Sequence, residues 1–222
     1  MPILPKRRDG KPGNLTVPFQ PALNDLSEER VRDLLAERQA DPFVSRRRET
    51  ISDEEPHPAA VLIPMLRTDG NWQVLYILRS IVQGDIHSGQ VAFPGGRFDP
   101  GETQPEQAAL REAYEEIGLV PESVDLLGNL EDFVTISNYN VTPVVGLIPW
   151  PMELRLMPTE VQRAFTIPLT WLADPANREK RERISPNGQT LEVVYFKEYD
   201  KELLWGVTAR ITLNFLEALK IT

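Results

Sequence analysis

The spacing of apolar residues predicts that the core opens with two neighbouring β-strands. Residues 59–66 and 73–78 are short runs rich in aliphatic and β-branched side chains, as strands commonly are. Residues 68–71, Thr-Asp-Gly-Asn, lie between them and have the composition of a tight turn. We therefore predict an antiparallel hairpin over these two runs.

The rest of the chain alternates between strand-like and helix-like stretches. Apolar runs predict strands at 90–93, 141–148 and 191–197, and helical spacing predicts helices at 159–165 and 205–220. Because strands and helices interleave, the predicted fold class is mixed α/β.

The N-terminal part differs in composition from this core. Residues 1–22 contain several prolines and glycines, which predicts an extended arm and not a helix. A short helix is predicted after Ser27, a suitable N-cap that is followed by acidic residues. A chain of 222 residues is long enough for one well-cored domain. We therefore divide the chain into an arm with a helix, residues 1–57, and a single domain, residues 58–222.

Composition narrows the classes of partner. The chain carries 24 Lys and Arg against 33 Asp and Glu, a formal charge of −9, which argues against nucleic acid as a partner. No apolar run is long enough to span a membrane and no secretory leader is visible, so we expect no membrane partner and a cytoplasmic location. The absence of cysteine excludes disulfides, thiolate metal sites and a cysteine nucleophile. An acidic protein that handles phosphates needs a cation as intermediary.

The most informative segment is a double-glycine loop followed by a helix rich in glutamate. The helix is predicted over residues 104–117. Thr103 and Glu106 have the spacing of a capping box, and Pro105 suits the first turn. Gly118 is a suitable residue for the C-terminal stop.

Three carboxylates share one face of this predicted helix. At about 100° per residue, Glu112, Glu115 and Glu116 fall within an arc of about 100°. The opposite side carries the residues expected to pack: Leu110, Ala113, Tyr114 and Ile117. Like charges at this spacing cost roughly a few tenths of a kcal/mol per pair unless something neutralises them. The face is either a solvated surface or a site for a divalent cation, and oxygen ligands without thiolates favour Mg²⁺ or Mn²⁺.

The order of these residues resembles the Nudix box, the motif of the Nudix hydrolase family. That motif combines a glycine, a glutamate six positions on, and a helix with the pattern Arg-Glu-x-x-Glu-Glu-x-Gly. The matching positions are Gly96, Glu102, Arg111, Glu112, Glu115, Glu116 and Gly118. One departure is the gap of eight residues between Glu102 and Arg111, one longer than the general pattern. The helix register is unaffected, but the placement of Glu102 relative to a metal becomes less defined.

Residues on both sides of the box are similar to the coenzyme A pyrophosphatase branch of this family. The similarity covers residues 78–80 (Leu-Arg-Ser) and 87–96 (His-Ser-Gly-Gln-Val-Ala-Phe-Pro-Gly-Gly). Further similar stretches follow within 141–146, 158–169 and 205–210. The resemblance implies the Nudix α/β/α sandwich with a mixed β-sheet. It also implies metal-dependent hydrolysis of the diphosphate of coenzyme A to 3′,5′-ADP and 4′-phosphopantetheine.

The resemblance further implies roles for individual residues. Mg²⁺ or Mn²⁺ would be held by a set from the loop and the helix: Gly96, Glu102, Glu112, Glu115 and Glu116. The expected catalytic residues are Arg111, Glu112 and Glu115, with Glu112 the first candidate for the general base. The other candidates for the base are carboxylates on later loops: Glu131, Asp132 and Glu160. Arg111 either orients a glutamate or a phosphate, or simply pairs on the helix surface.

Two arginines near the signature are candidates for contacts to substrate phosphate. Arg79 and Arg97 have the charge for this role, although exposed arginines are commonly just solvated. His87 is read as a structural residue in preference to a group that titrates near the substrate. The expected partner is a small nucleotide similar to coenzyme A, and a homodimer formed through the N-terminal region is left open.

Two other functions are compatible with the box. One is a Nudix hydrolase for ADP-ribose or another nucleoside diphosphate derivative. The other is a non-catalytic Nudix domain that binds a nucleotide as a sensor. The presence of all three helix glutamates counts against lost chemistry.

Overall fold

Strands β1 (His57–Thr68) and β2 (Asn71–Arg79) form the antiparallel hairpin that the sequence predicts. In the computed structural model, the turn residues Asp69 and Gly70 have positive φ values of 50° and 79°. Asp and Gly tolerate this left-handed conformation better than other residues, so the local sequence closes the turn.

The structure describes residues 23, 26–40, 55–82, 88–184 and 190–222. The predicted N-terminal arm and His87 lie outside the described residues. In chain order, the helices and strands are α1 (Glu28–Gln39), β1, β2, β3 (Val91–Ala92), β4 (Gly95–Arg97), α2 (Pro105–Ile117), β5 (Asp125–Asn129), β6 (Phe133–Val134), β7 (Tyr139–Leu147), β8 (Val161–Pro168), α3 (Leu169–Ala173), β9 (Arg178–Ile184), β10 (Thr190–Tyr199), β11 (Glu202–Trp205) and α4 (Gly206–Ala218).

Eight strands form one mixed sheet, as the predicted class requires. The hydrogen-bonded order is β3-β2-β1-β7-β5, with β4 also paired to β1, β6 to β7 and β8 to β2. Strands β1 and β7 run parallel, and the other pairs in this sheet are antiparallel. The predicted strands at 90–93, 141–148 and 191–197 are present as β3, β7 and β10. Strands β9, β10 and β11 make a second, antiparallel sheet.

The two faces of the large sheet carry separate hydrophobic clusters, because side chains alternate along a strand. On one face, Leu62 of β1 belongs to the same cluster as Ile117 of α2. On the other face, Met65 of β1 shares a cluster with Leu35 of α1 and Phe215 of α4. Helices therefore cover both faces, and the predicted α/β/α sandwich is confirmed.

The helix predicted at 159–165 is wrong, because most of this segment belongs to β8. Phe165 and Ile167 are buried in the same cluster and alternate with less buried neighbours, which is the period-two pattern of a strand. Strand β8 pairs antiparallel with β2 along most of its length. Pairing and burial against β2 therefore decide the conformation of this segment.

The other long predicted helices are confirmed. Helix α1 begins after Ser27, whose Oγ accepts a hydrogen bond from the Arg30 N–H at 3.1 Å. A hydrogen bond links this helix to the loop after β5, because Arg38 Nε donates to Glu131 Oε1 at 2.7 Å. Helix α4 covers most of the predicted range 205–220. In the part of the chain that the structure describes, no helix is long and apolar enough to cross a membrane.

Candidate active site

Helix α2 carries the glutamates, and its first turn is closed by a capping box. Gln104 is the N-cap, and Gln107 Oε1 accepts hydrogen bonds from the N–H of Gln104 at 3.1 Å and of Thr103 at 2.9 Å. The predicted box of Thr103 and Glu106 is therefore wrong by one residue. Gly118 ends the helix in the left-handed conformation, at φ 73°, as predicted.

The double glycine brings backbone against two carboxylates of α2. The Gly95 N–H donates to Glu116 Oε2 at 3.0 Å. Gly95 has φ 158°, and a Cβ there would lie 2.4 Å from the Ala60 carbonyl oxygen. A Cβ on Gly96 would lie only 2.2 Å from Glu112 Oε1. Glycine is therefore required for this close approach of the loop to the helix.

A cleft of about 380 Å³ opens where the glycine loop, the end of β2 and the start of β8 meet. Its lining residues are Arg79, Ser80, Val82, Gly95, Gly96, Glu112, Glu116, Thr159 and Glu160. Three carboxylates and one guanidinium therefore line the same small space. A concave site with few, converging polar groups is the usual form of a small-molecule site.

Burial controls the ionisation of the two helix carboxylates in the cleft. The Glu116 side chain is almost fully buried, and burial raises its pKa to about 8. The neighbouring charges of Glu112 and Glu160 raise this pKa further, whereas the Gly95 N–H and Arg79, 4.0 Å away, oppose the shift. Burial also raises the pKa of Glu112. Acidic groups are thus held together where water solvates them poorly, and a bound cation would offset the cost.

Arg111 connects the carboxylates on the outer side of this arrangement. Its Nε donates to Glu102 Oε1 at 2.9 Å, and the hydrogen bond from Arg111 lowers the pKa of Glu102. Its Nη1 donates to Glu112 Oε1 at 2.9 Å and to Glu115 Oε2 at 3.1 Å. Its Nη2 donates to the Arg97 carbonyl oxygen at 2.8 Å. Arg111 does not line the cleft, so it orients Glu112 from behind.

The predicted site residues separate into two groups. Those that line the cleft are Gly96, Glu112, Glu116 and Arg79. Those that do not line it are Glu102, Glu115, Arg111 and Arg97. The Glu115 side chain is 52% exposed and contacts Arg111, while the Arg97 guanidinium lies 4.9 Å from the Tyr139 ring centroid.

The structure also distinguishes the three loop candidates for the general base. Glu160 lines the cleft, beside Glu112 and Glu116. Glu131 instead pairs with Arg38, and Asp132 accepts hydrogen bonds from side chains of β7.

Ser80 fixes the position of the segment that carries Glu160. Its N–H donates to the Glu160 carbonyl oxygen at 2.8 Å, and its Oγ donates to the Pro158 carbonyl oxygen at 2.9 Å. The sequence-based site prediction omitted four residues that line the cleft: Ser80, Val82, Gly95 and Thr159. Ser80, Gly95 and Thr159 lie inside the stretches similar to the coenzyme A pyrophosphatase branch, so that resemblance was the available signal for them.

The donors in the cleft suit a hard divalent cation. Among the described residues, no three His, Cys, Asp or Glu side chains are already gathered in a metal-holding group. Glu112 and Glu116 nevertheless present carboxylates to the same cleft, and the raised pKa of each shows an unfavourable environment that a cation improves. Mg²⁺ and Mn²⁺ characteristically take a few carboxylates and complete their coordination with water and substrate phosphate.

Comparisons with known proteins agree with this fold and site. Residues 56–188 match the NUDIX domain. The "Uncharacterized Nudix hydrolase NudL" of Photorhabdus laumondii is 35% identical over 171 residues, covering 77% of this chain and 89% of the relative. The relative of the same name from Escherichia coli strain K12 is 35% identical over 179 residues, covering 77% and 90%. The crystal structure of a MutT/nudix family protein from Enterococcus faecalis has a TM-score of 0.51 at 18% identity, covers 88% of this chain and 75% of that chain, and supports the fold alone.

The layered fold and the carboxylate cleft define a hydrolase that acts on nucleoside diphosphate derivatives. Together with the matched domain and relatives, they show that the chain belongs to the Nudix family, as a pyrophosphohydrolase. Nudix hydrolases generally use divalent metal ions, which agrees with the chemistry of the donors in the cleft.

Proposed function

We propose that this protein hydrolyses the diphosphate linkage of coenzyme A or its derivatives, releasing 3′,5′-ADP and 4′-phosphopantetheine or its acylated form. The observation that carries the proposal is the cleft in which Glu112, Glu116 and Glu160 face the glycine loop. The choice of coenzyme A rests on the resemblance of residues 78–80 and 87–96 to the coenzyme A pyrophosphatase branch.

The four charged side chains that line the cleft have distinct roles in this reaction. A Mg²⁺ or Mn²⁺ ion bound by Glu112 and Glu116 would offset charge on the diphosphate and lower the pKa of a water. Glu160 accepts a proton from the attacking water, whose oxygen bonds to phosphorus as the bridging P–O bond breaks. The other phosphate leaves as a monoester. Arg79, whose Nη1 lies 4.0 Å from Glu116 Oε1, supplies positive charge within the same cleft.

Glu160 is a better base than Glu112 because of the contacts of Glu112. Glu112 Oε1 already accepts a hydrogen bond from Arg111 at 2.9 Å. Glu112 is also one of the two proposed ligands of the cation, so its carboxylate is already engaged on both counts and is less available to take a proton from the attacking water. Glu160→Gln should lower kcat by roughly 10²-fold or more. In this variant the rise in Tm that Mn²⁺ produces should stay unchanged, because Glu160 is not among the proposed ligands. A kcat equal to that of the wild type would instead indicate Glu112 as the base.

Exposed apolar side chains beside the cleft support coenzyme A over ADP-ribose. Ile81 is 81% exposed, Val82 50% and Met157 44%, and Val82 lines the cleft itself. The segments that carry them are joined by the hydrogen bond from Ser80 Oγ to the Pro158 carbonyl oxygen. Exposed apolar groups beside a site suit a ligand with apolar surface, as the pantetheine arm has and the second ribose of ADP-ribose has not.

The test is product analysis after incubation with coenzyme A and, separately, with ADP-ribose, in Mg²⁺, in Mn²⁺ and in chelator. We expect metal-dependent release of 3′,5′-ADP from coenzyme A. Release of AMP from ADP-ribose alone would assign the alternative substrate class, and no hydrolysis of coenzyme A or its thioesters in either metal would overturn the proposal. Glu116→Gln should reduce kcat about 100-fold, since several kcal/mol of transition-state stabilisation act through the cation. The exposed Glu122→Gln is the matched control and should leave kcat unchanged.

A further inference from the structure

Strand β9 is an exposed and highly charged edge of the small sheet. Among the described strands it pairs only with β10, and six of its seven residues are exposed. Its sequence is Arg-Glu-Lys-Arg-Glu-Arg-Ile. An edge strand presents unpaired N–H and C=O groups, which are a template for another strand.

The charges of β9 are complementary to a second, antiparallel copy of the same strand. In a two-fold antiparallel pairing, two residues that face each other point to the same side of the sheet. Because side chains alternate along each strand, the two residue numbers are then both odd or both even. With Arg181 on the axis, Glu179 faces Arg183 and Lys180 faces Glu182. Each of these pairs occurs twice, and the single like pair is Arg181 with itself. Opposite charges directly across two strands stabilise the pairing.

Neighbouring registers are poorer than this one. An axis at Glu182 places like charges opposite each other at three successive positions, because Glu182 faces itself at the centre and Arg181 faces Arg183 on either side of it. An axis at Lys180 keeps complementary pairs but leaves two residues of β9 without partners. The axis at Arg181 pairs the whole strand. It also places Ile184, which is 79% exposed, against the aliphatic stem of Arg178 in the second copy.

Aromatic rings behind β9 hold two of these arginines in place. The Arg181 guanidinium lies 4.4 Å from the Tyr195 ring centroid, and that of Arg183 lies 5.6 Å from the same ring. Tyr195 in turn stacks on Trp205 at 5.6 Å, with an interplanar angle of 9°. In the register with Arg181 on the axis, Arg183 is the one that meets an opposite charge, Glu179 of the second copy, and a side chain that is already ordered loses less entropy on meeting a partner.

Charges on an edge strand commonly prevent pairing with other strands. This protection acts against strands without the complementary pattern, because on pairing the unmatched charges would be desolvated or would face like charges. Strand β9 carries both signs in an order that matches its own reverse. The same pattern therefore excludes unrelated strands and permits a second copy of this chain.

We propose that β9 joins two copies of this chain into a symmetric dimer, in which the two small sheets form one continuous sheet. The interface is short, since seven residues pair on each side. Small interfaces are usually weak, so the dimer should dissociate on dilution. This inference does not depend on the substrate.

The experiment is sedimentation equilibrium of the full chain over a range of concentrations, combined with charge reversal. Wild type should show a concentration-dependent dimer. Glu179→Arg and Arg183→Glu should each weaken the dimer at least tenfold, because each places like charges across the axis. The double variant Glu179→Arg with Arg183→Glu restores opposite charges and should restore the dimer. Lys197→Glu, an exposed charge reversal on β10 beyond the segment paired with β9, is the matched control and should change nothing.

Restoration by the double variant is the result that a merely local role of either residue would not produce. A wild-type chain that stays monomeric at every concentration would overturn the proposal. So would a dimer that ignores both single reversals, since another surface would then join the copies. Far-ultraviolet circular dichroism of each variant confirms that the exposed substitutions leave the fold intact.

Discussion

At the residue scale, Gly95 and Gly96 exclude side chains for different reasons. A side chain on Gly95 would meet backbone, because its Cβ would lie within 3 Å of the Ala60 carbonyl oxygen and of the Val61 Cα. The space beyond Gly96 is occupied by the carboxylate of Glu112, the far end of a flexible side chain. Backbone in a sheet cannot yield, whereas a carboxylate can turn away.

This difference predicts that the two alanine variants separate stability from activity. Gly95→Ala should lower the free energy of unfolding by about 3 kcal/mol or more, because the sheet must distort. Gly96→Ala should cost about 1 kcal/mol or less in stability but reduce kcat/KM at least tenfold, since Glu112 is displaced. Urea denaturation and steady-state kinetics measure the two quantities. Equal losses of stability in both variants would contradict the assigned geometry.

Arg111 permits a second prediction at this scale. Its guanidinium contacts Glu102, Glu112 and Glu115 through separate nitrogens. Lysine keeps the charge but cannot reproduce this fork. Arg111→Lys should therefore weaken Mn²⁺ binding by about 10- to 100-fold, as loss of a group that orients metal ligands usually does. Titration calorimetry measures the affinity, and unchanged binding would show that Glu112 is oriented without Arg111.

The sequence predicts which residues matter in α2 better than it predicts their environment. Helical spacing placed the glutamates on one polar face and Tyr114 on the packed face. The structure has Glu116 buried and Tyr114 56% exposed. Spacing along a helix shows which residues share a face, but not that the glycine loop covers part of a polar face. Tertiary contact with Gly95 decides the burial of Glu116.

At the element scale, β8 and β9 show two limits of pattern reading. Residues 159–165 were assigned to a helix, yet they enter β8 because β2 offers a free edge for pairing. Strand β9 was missed because its residues show no apolar alternation. Its conformation follows from pairing with β10, whose inner side chains Val194 and Phe196 belong to the core. A strand without a hydrophobic signal is visible only through its partner.

The start of α2 gives a prediction for an element as a whole. Gln107 Oε1 accepts from the N–H groups of Thr103 and Gln104, which would otherwise lack a partner in the helix. Gln107→Ala should therefore lower the free energy of unfolding by about 1 kcal/mol, measured by urea denaturation. The active-site glutamates lie further along the helix, so kcat should stay within about twofold of wild type. The exposed Gln162→Ala on β8 serves as a control for a lost glutamine without a capping role.

At the scale of the whole molecule, the resemblance to the Nudix box predicts more of the fold than the local sequence patterns do. It implied the layered sandwich, which the two hydrophobic clusters confirm. The division at residue 57 stays a prediction. Helix α1 nevertheless packs into the main core through Val31, Leu34 and Leu35, so it is part of the same folded body.

Buried carboxylates predict how a cation changes the stability of the molecule. On the proposed assignment Mn²⁺ binds the folded cleft and not the unfolded chain, so an excess of about 100 times Kd should stabilise the protein by about 2.7 kcal/mol. Calorimetric melting with Mn²⁺ and with chelator measures the change. In Glu116→Gln the increase in Tm should shrink, because one of the proposed ligands loses its charge. An equal increase in that variant would place the ion elsewhere.

The parallel pairing of β1 with β7 also bears on how the chain reaches its native state. His57 faces Tyr139 and Met65 faces Leu147, so partners roughly 80 residues apart must meet before the centre of the sheet exists. Contacts of such long range close slowly, on a scale of milliseconds to seconds in comparable topologies. During synthesis, β1 and β2 leave the ribosome well before β7 does. The hairpin must therefore wait with one side of β1 uncovered, and this is the stage at which we expect the nascent chain to be most vulnerable to aggregation.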